Sequence, residues 1–389
     1  MFRTAETTAD GRSSGAVERK TPIASGAKRR AMNHRIRVFG AVAATVGIFL
    51  SVQIGALALI EPFYESELQA VDDPQNPTNS VVYFGIILLA TAFMLAAFKY
   101  DLQLLIRAMV VGVSVMLAWF VFDELVPSAV TVGSINLLAA LAALGLGMAL
   151  LGYPEWYVID LSGIVMGAGA AALFGISFGL LPAILLLTVL AVYDAISVYG
   201  TEHMLDLAEG VMDLKIPVIL IVPTSLSYSY LELGESDPVS NDDAATASDG
   251  GERDSADAAE PSGDAEPAVD GVPAEAEDGP TEAETDDGAD SLERDALYIG
   301  LGDAIIPSIL VVSAAFFLDA GHLDVPGMVV NLPALGAIVG TIFGLLVLMY
   351  MVLKGRPHAG LPLLNGGAIG GYLLGALASG VSVLTALGF

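Results

Sequence analysis

The sequence predicts an all-α membrane protein, a polytopic bundle of nine transmembrane helices with a disordered acidic loop between the sixth and the seventh. Three observations lead there. The 389 residues are 54% hydrophobic and only 15% charged, a more apolar balance than that of an average soluble domain. Nine apolar runs, at residues 37–60, 80–98, 104–122, 127–152, 157–176, 180–200, 297–318, 327–353 and 361–388, are each long enough to cross the hydrocarbon core, which takes about 20 residues of helix. The sixteen Lys and Arg residues are confined to every second connection, as the positive-inside bias requires.

Taken in order, a basic tail (residues 1–36) comes first. Arg3, Arg12, Arg19, Lys20, Lys28, Arg29, Arg30 and Arg35, together with Arg37 at the mouth of the first run, place the N-terminus in the cytoplasm. The apolar run behind this tail is of full spanning length, so the tail does not read as a cleavable signal peptide, and Met32 is an alternative start. Lys99 and Arg107 flank the turn between the second and third runs, and Lys354 and Arg356 lie between the eighth and ninth. The outer connections Glu61 to Ser80, Asp123 to Ser128 and Asp319 to Pro326 contain neither Lys nor Arg. Nine spans then leave the C-terminus outside, in a multi-pass protein of the cell membrane.

The connection between the sixth and seventh runs falls into two parts. Residues 201–231 begin with Thr201 to Lys215, where Met204, Leu205, Ala208, Val211 and Met212 share a stripe and Glu202, Asp206, Glu209 and Asp213 lie elsewhere, the pattern of an interfacial amphipathic helix. Ile216 to Val222 is short, β-rich and bounded by Pro217 and Pro223. Residues 232–296 are different. Of the 44 acids, 23 fall between Glu232 and Asp295, which accounts for most of the net charge of −28. With almost no large apolar side chain, this segment cannot offset its ordering entropy and is expected to be a disordered, solvating tether. The acidity and scarcity of lysine point to a halophilic source. The chain has no cysteine, so disulfides and a thiolate nucleophile are excluded.

Two acids interrupt the apolar runs. An ionised carboxylate in lipid is costly, and such residues usually face a water-filled cavity and carry function. Asp194 lies six residues before the inner end of the sixth run, and Asp303 six residues into the seventh. At 1.5 Å per residue both come to about 9 Å below the inner boundary. Two carboxylates at one depth on sequential antiparallel helices can share a proton, so that one serves as base and the other as acid. That is the requirement for hydrolysis by an aspartic peptidase: the ionised partner activates water, and the protonated partner polarises the scissile carbonyl. Gly300 and Gly302 beside Asp303 admit close approach of another backbone or of water, although small residues also serve helix packing in membranes.

Tyr193-Asp194, Gly300-Leu301-Gly302-Asp303 and a proline-containing start to the last run together resemble the presenilin and signal peptide peptidase family of intramembrane aspartyl proteases, over residues 37–388. Tyr199-Gly200-Thr201-Glu202-His203-Met204 and Ala304-Ile305-Ile306-Pro307 make the likeness closer to the signal peptide peptidase side. The resemblance implies that Asp194 and Asp303 are the catalytic pair, that Tyr193, Gly300, Leu301 and Gly302 help to shape the site, and that single-span membrane proteins or signal peptides are the substrates. It implies no cofactor, no metal and no obligatory accessory subunit. The family carries Pro-Ala-Leu at the start of the ninth helix. On this reading the place is taken by Pro362, Leu363 and Leu364, with Leu363 where Ala is expected, and the literal Pro333-Ala334-Leu335 is a coincidence near the outer end of the eighth run. Pro362 also suits the first turn of a helix. Gly367, Gly371 and Gly375 recur every four residues, so the last helix can press closely against a neighbour.

An extended substrate is needed for hydrolysis, and Ile216 to Val222 is a candidate strand to which an unwound segment adds by edge pairing. Other chemistries fit less well. Gly175-Ile176-Ser177-Phe178-Gly179 matches the serine nucleophile pattern without its strand-turn-helix setting. His34, His203, His322 and His358 lack zinc spacing. Asp160 and Arg107 are expected to form a buried structural pair. The rival of another class is a transporter or channel in which the same two acids relay protons or bind a cation; against it stand the absence of repeated halves and the fit to the protease motifs.

Overall fold

The structure is a computed structural model that describes residues 23–100, 102–133, 135–200, 219–223, 296–354 and 359–389. The tail before residue 23, the amphipathic stretch 201–215 and the acidic loop up to residue 295 lie outside those residues. In chain order the elements are α1 (Ile23–Ala58), the short α2 (Ile60–Glu65), α3 (Thr78–Lys99), α4 (Gln103–Leu125), β1 (Thr131–Val132), β2 (Ile135–Asn136), α5 (Leu137–Gly152), α6 (Trp156–Ser177) and α7 (Leu180–Gly200). After the connection come β3 (Ile219–Pro223), β4 (Ala296–Gly300), α8 (Leu301–Phe317), β5 (His322–Val325), β6 (Met328–Asn331), α9 (Leu332–Val352), α10 (Gly360–Ala378) and α11 (Val383–Ala386). Among the described residues seven helices are long and apolar enough to cross a membrane: α1 from Arg37, α3, α4, α6, α7, α9 and α10. Two further apolar helices, α5 and α8, are shorter.

Several expected helices begin or end elsewhere, each for a local reason. The first continues backwards to Ile23, through residues expected to be tail. The fourth run loses residues 127–136 to the β1–β2 hairpin, and α5 starts at Leu137 because Asn136 caps it, accepting from the Ala139 N–H (3.4 Å). The eighth loses its start to the β5–β6 hairpin, which turns at Pro326-Gly327 with φ +73° at the glycine, a conformation that favours Gly. Asn331 then caps α9 through the Ala334 N–H (2.9 Å) and ties back to the Ala314 and Leu318 carbonyls (both 2.8 Å). Pro333-Ala334-Leu335 is therefore the first turn of α9, where a proline costs no hydrogen bond. The ninth run stops at Ala378, turns, and ends in the single turn of α11.

The axis of the bundle is α6. Its span is 72% buried, against 11% for α3 at the periphery, and glycine, alanine and serine dominate its sequence. Small side chains let neighbouring helices come close where lipid supplies no hydrophobic drive for association. The same logic joins α9 to α10. A Cβ on Gly336, Gly340 or Gly344 would overlap the carbonyl oxygens of Gly371, Gly367 and Leu363, so the two backbones touch. Gly367, Gly371 and Gly375 thus do press against a neighbour, as their spacing implies. Around α6 and α8 the core is filled by Phe49, Phe63, Phe178 and Tyr372, each fully buried.

The remaining surprise is a two-stranded ribbon on the side of the bundle that carries both acids. β3 and β4 pair antiparallel, with Ile219 opposite Gly300 and Pro223 opposite Ala296. The expected seventh helix thus begins at Leu301 rather than residue 297, and its first residues are strand. Five strand residues cover about 16 Å where a helix would cover less than half that. The 17 residues of α8 reach only about 25 Å, so the head of α8 is recessed.

Candidate active site

Asp303 is the third residue of α8, not the seventh of a longer helix, and the elements around it fix its place. Gly300 ends β4 in an extended conformation (φ −62°, ψ 131°) and caps α8. Leu301, 3% exposed, drops into a notch made by two glycines of α6: a Cβ at Gly167 would stand 3.3 Å from Leu301 Cδ1, and one at Gly163 3.6 Å. That notch holds the first turn of α8 against the bundle axis. Four residues on, Pro307 lacks the N–H that a helix would otherwise aim at the Asp303 carbonyl. The Asp303 carboxylate is partly exposed to a cavity of about 230 Å3, bounded on one side by β4 and on the other by Leu345, Leu348 and Met349 of α9 and by Gly360.

Asp194 comes from α7 and is 8% exposed. Its Oδ2 accepts the backbone N–H of Leu361 at 3.0 Å. The preceding residue faces the other acid: a Cβ at Gly360 would lie 3.6 Å from Asp303 Oδ2. Both carboxylates therefore converge on the first two residues of α10. One turn further along α10, Asn365 donates to the Leu187 carbonyl (2.9 Å), two turns before Asp194 on α7. This second bond holds α10 in register on α7.

Comparison with known proteins decides what this geometry belongs to. The family described as signal-peptide peptidase, presenilin aspartyl protease matches residues 46–381, most of the chain. The chain belongs to that family. Two solved structures of a presenilin family intramembrane aspartate protease, in C222 and P2 crystal forms, are similar at 29% identity. They cover 87% and 86% of this chain and 99% and 97% of their own, with TM-scores of 0.53 and 0.51. Among curated proteins none matches.

For a signal peptide peptidase and presenilin relative, the register of the last motif matters, and the structure moves it. Of the residues expected to shape the site, Gly300 lies beside Asp303, with a Cβ there 3.4 Å from Oδ2. Gly302 is exposed on the same turn. The ring of Tyr193 lies edge-on to Phe84 of α3 at 5.9 Å. Pro362 and Leu363 line a groove between α9 and α10, and Leu364 is fully buried in one cluster with Leu345 and Ala304. The residues that meet the acids are Gly360 and Leu361, three and two positions before Leu363. Ala359-Gly360-Leu361 places a small residue followed by Leu at the two acids, directly before Pro362.

Two other expectations change. Asp160 does not pair with Arg107. Its Oδ1 accepts the N–H of Ile221 in β3 at 2.7 Å, while Arg107 donates to the Leu151 carbonyl at 3.4 Å. Ser177, centre of the serine-like pattern, is fully buried, donating to the Leu173 carbonyl (2.6 Å) and accepting from the Ala70 N–H (2.8 Å). It is a structural residue joining α6 to the loop after α2. His322 sits on the β5–β6 hairpin and pairs with Asp319 at 2.6 Å, far along the chain from Ser177 and unlinked to it.

Proposed function

We propose that Asp194 and Asp303 are the catalytic pair with which this aspartyl protease hydrolyses peptide bonds inside the membrane-spanning segments of other proteins. The observation that carries the reading is the convergence of the two carboxylates on Gly360 and Leu361, beside a cavity that Asp303 lines. With one proton between them, the ionised carboxylate takes a proton from water as its oxygen attacks the scissile carbonyl carbon. The protonated one donates to the carbonyl oxygen. The roles then exchange: the amide nitrogen is protonated, the C–N bond breaks, and an acid and an amine leave. Leu361 N–H holds Asp194 in place throughout. Gly360 is the small residue that leaves room at Asp303.

The substrate must be unwound to expose a carbonyl, and the β3–β4 ribbon offers the means. The edge expected from sequence is that of β3, yet β3 lies against α6 and its Ile221 N–H is taken by Asp160. A third strand would join β4, which leads straight into Gly300 and Asp303 and forms one wall of the cavity. All nine apolar helices are read as spans, α5 and α8 included, with the N-terminus inside and the C-terminus outside. Single-span membrane proteins or signal peptides are the substrate class, and no accessory subunit is required.

Membership of a protease family favours hydrolysis over the transporter reading. The test is purified protein in detergent with a single-span test substrate. Cleavage by wild type that disappears in both Asp194→Asn and Asp303→Asn supports the proposal. An absence of cleavage accompanied by acid-dependent ion flux in liposomes sinks it.

A further inference from the structure

A third carboxylate lies in the bundle, and nothing in the catalytic scheme uses it. Asp160 on α6 is 7% exposed, and its Oδ1 accepts the N–H of Ile221 (2.7 Å). Ile221 is the central residue of β3, opposite Tyr298 of β4. In an antiparallel pair, residues alternate between those that bond the partner strand and those that point away from it. An Ile221 N–H committed to Asp160 makes that side of β3 its outer edge. Leu220 and Val222 are left to bond β4.

The same face of α6 carries Gly163 and Gly167, three and seven residues on, which places them on one helical stripe with Asp160. A Cβ at Gly163 would stand 2.8 Å from Leu220 Cδ2 and 3.6 Å from Leu301 Cδ1. One stripe of α6 therefore seats both β3 and the turn that carries Asp303. The glycines seat Leu220 and Leu301 by apolar contact. Asp160 adds a directional polar bond that fixes β3 along the helix.

We propose that Asp160 is a positioning residue: by holding the N–H of Ile221 it sets the register of the β3–β4 ribbon on α6, and through β4 it sets which peptide bond of an unwound substrate meets Asp303. The proposal rests on the reading of the ribbon as the substrate's docking edge. A carboxylate suits the task because a hydrogen bond to a charged or strongly polar acceptor in a buried site is costly to lose. Without the bond, the apolar seats of Leu220 and Leu301 on α6 are left to hold the ribbon, and the register of β3, with that of β4 paired to it, loosens.

The experiment uses the full-length protein in detergent and a test substrate of one apolar helix between two soluble tags, with products weighed by mass spectrometry. Asp160→Leu removes the acceptor, Asp160→Asn keeps an acceptor oxygen of the same shape, and Ile221→Pro removes the donor while sparing the bonds of β3 to β4. Asp160→Leu and Ile221→Pro are each expected to lower kcat/KM about tenfold or more and to spread the cut over neighbouring peptide bonds. The double variant is expected to be no worse than either single one, because both remove one bond. Asp160→Asn is expected to cut at the wild-type position. A fold defect alone would lower all products in proportion and leave the position unchanged; that result, or additive losses in the double variant, overturns the proposal. Should Asp160→Leu not yield folded protein, Ile221→Pro decides by the same shift of position. Wild-type cleavage lost in Asp303→Asn is the control that separates failure of this proposal from failure of the protease reading.

Discussion

The sharpest consequence of the register at the head of α10 concerns Gly360 and Leu363. A Cβ at residue 360 would lie 3.4 Å from Leu348 Cδ2 and 3.6 Å from Asp303 Oδ2, ordinary van der Waals separations. Gly360→Ala is therefore accommodated and should keep kcat within about threefold of wild type, since a volume change this small is absorbed with little strain. Gly360→Leu is another matter. Its branch extends past the Cβ into the space between Leu348 and Asp303, inside a cavity of only about 230 Å3, so it either displaces the Asp303 carboxylate or fills the place of the substrate. A displacement of about 1 Å at reacting groups costs on the order of a hundredfold in rate. Leu363 lines the groove between α9 and α10 and not the cavity at Asp303, so Leu363→Ala should leave kcat within about threefold, with its cost confined to lost apolar burial. The assay is cleavage of a single-span substrate in detergent, with kcat and KM measured separately and thermal unfolding followed on each variant. Equal loss of kcat in Leu363→Ala and Gly360→Leu, or a full rate in Gly360→Leu, refutes the placement.

Other outcomes follow from the same geometry. Cleavage should depend on pH as a bell, because the pair works with one shared proton: activity falls on the acid side when both carboxyls are protonated and on the alkaline side when both are ionised. A rate that rises to a plateau on either side contradicts the shared-proton scheme. Gly340→Leu should break the α9–α10 contact, since even a Cβ would overlap the Gly367 carbonyl oxygen; a loss of about 3 kcal/mol, or failure to purify as folded protein, is expected in thermal unfolding, and unchanged stability refutes the close packing. Ser177→Ala should cost about 1–3 kcal/mol of stability, because the Ala70 N–H loses its acceptor, while cleavage survives; loss of cleavage in stable protein would revive a serine mechanism.

How far the sequence could be read depended on the kind of signal each element emits. Apolar runs of spanning length are a strong signal: among the described residues seven of the helices they announce are long enough to cross a membrane and two are shorter, with Asp194 six residues from the end of α7. β4 reads as helix in the sequence because Ala-Leu-Tyr-Ile-Gly is as apolar as the helix behind it, and a short apolar run does not separate strand from buried helix by periodicity. Its partner β3 lies more than seventy residues earlier, so no local turn marks the pair. The depth match of the two acids rested on a helical rise through residues that are extended, yet the acids do converge, because the recessed head of α8 meets the head of α10. Contacts made by backbone leave no mark in residue type. The Leu361 N–H on Asp194 and the Ile221 N–H on Asp160 are of this sort. One sign was legible in principle: a Gly followed by Leu at 360–361, immediately before Pro362.

The account stands on two acids acting as one catalyst. The most direct measurement is intact-mass analysis of a single-span substrate after incubation with wild type, Asp194→Asn or Asp303→Asn, each confirmed to be folded. Wild type should give two fragments whose masses add up to the substrate plus one water, with the cut inside the apolar segment, and neither variant should give any. Fragments from either Asn variant at a rate near wild type, or a wild-type cut that falls only in the soluble flanks, would contradict it.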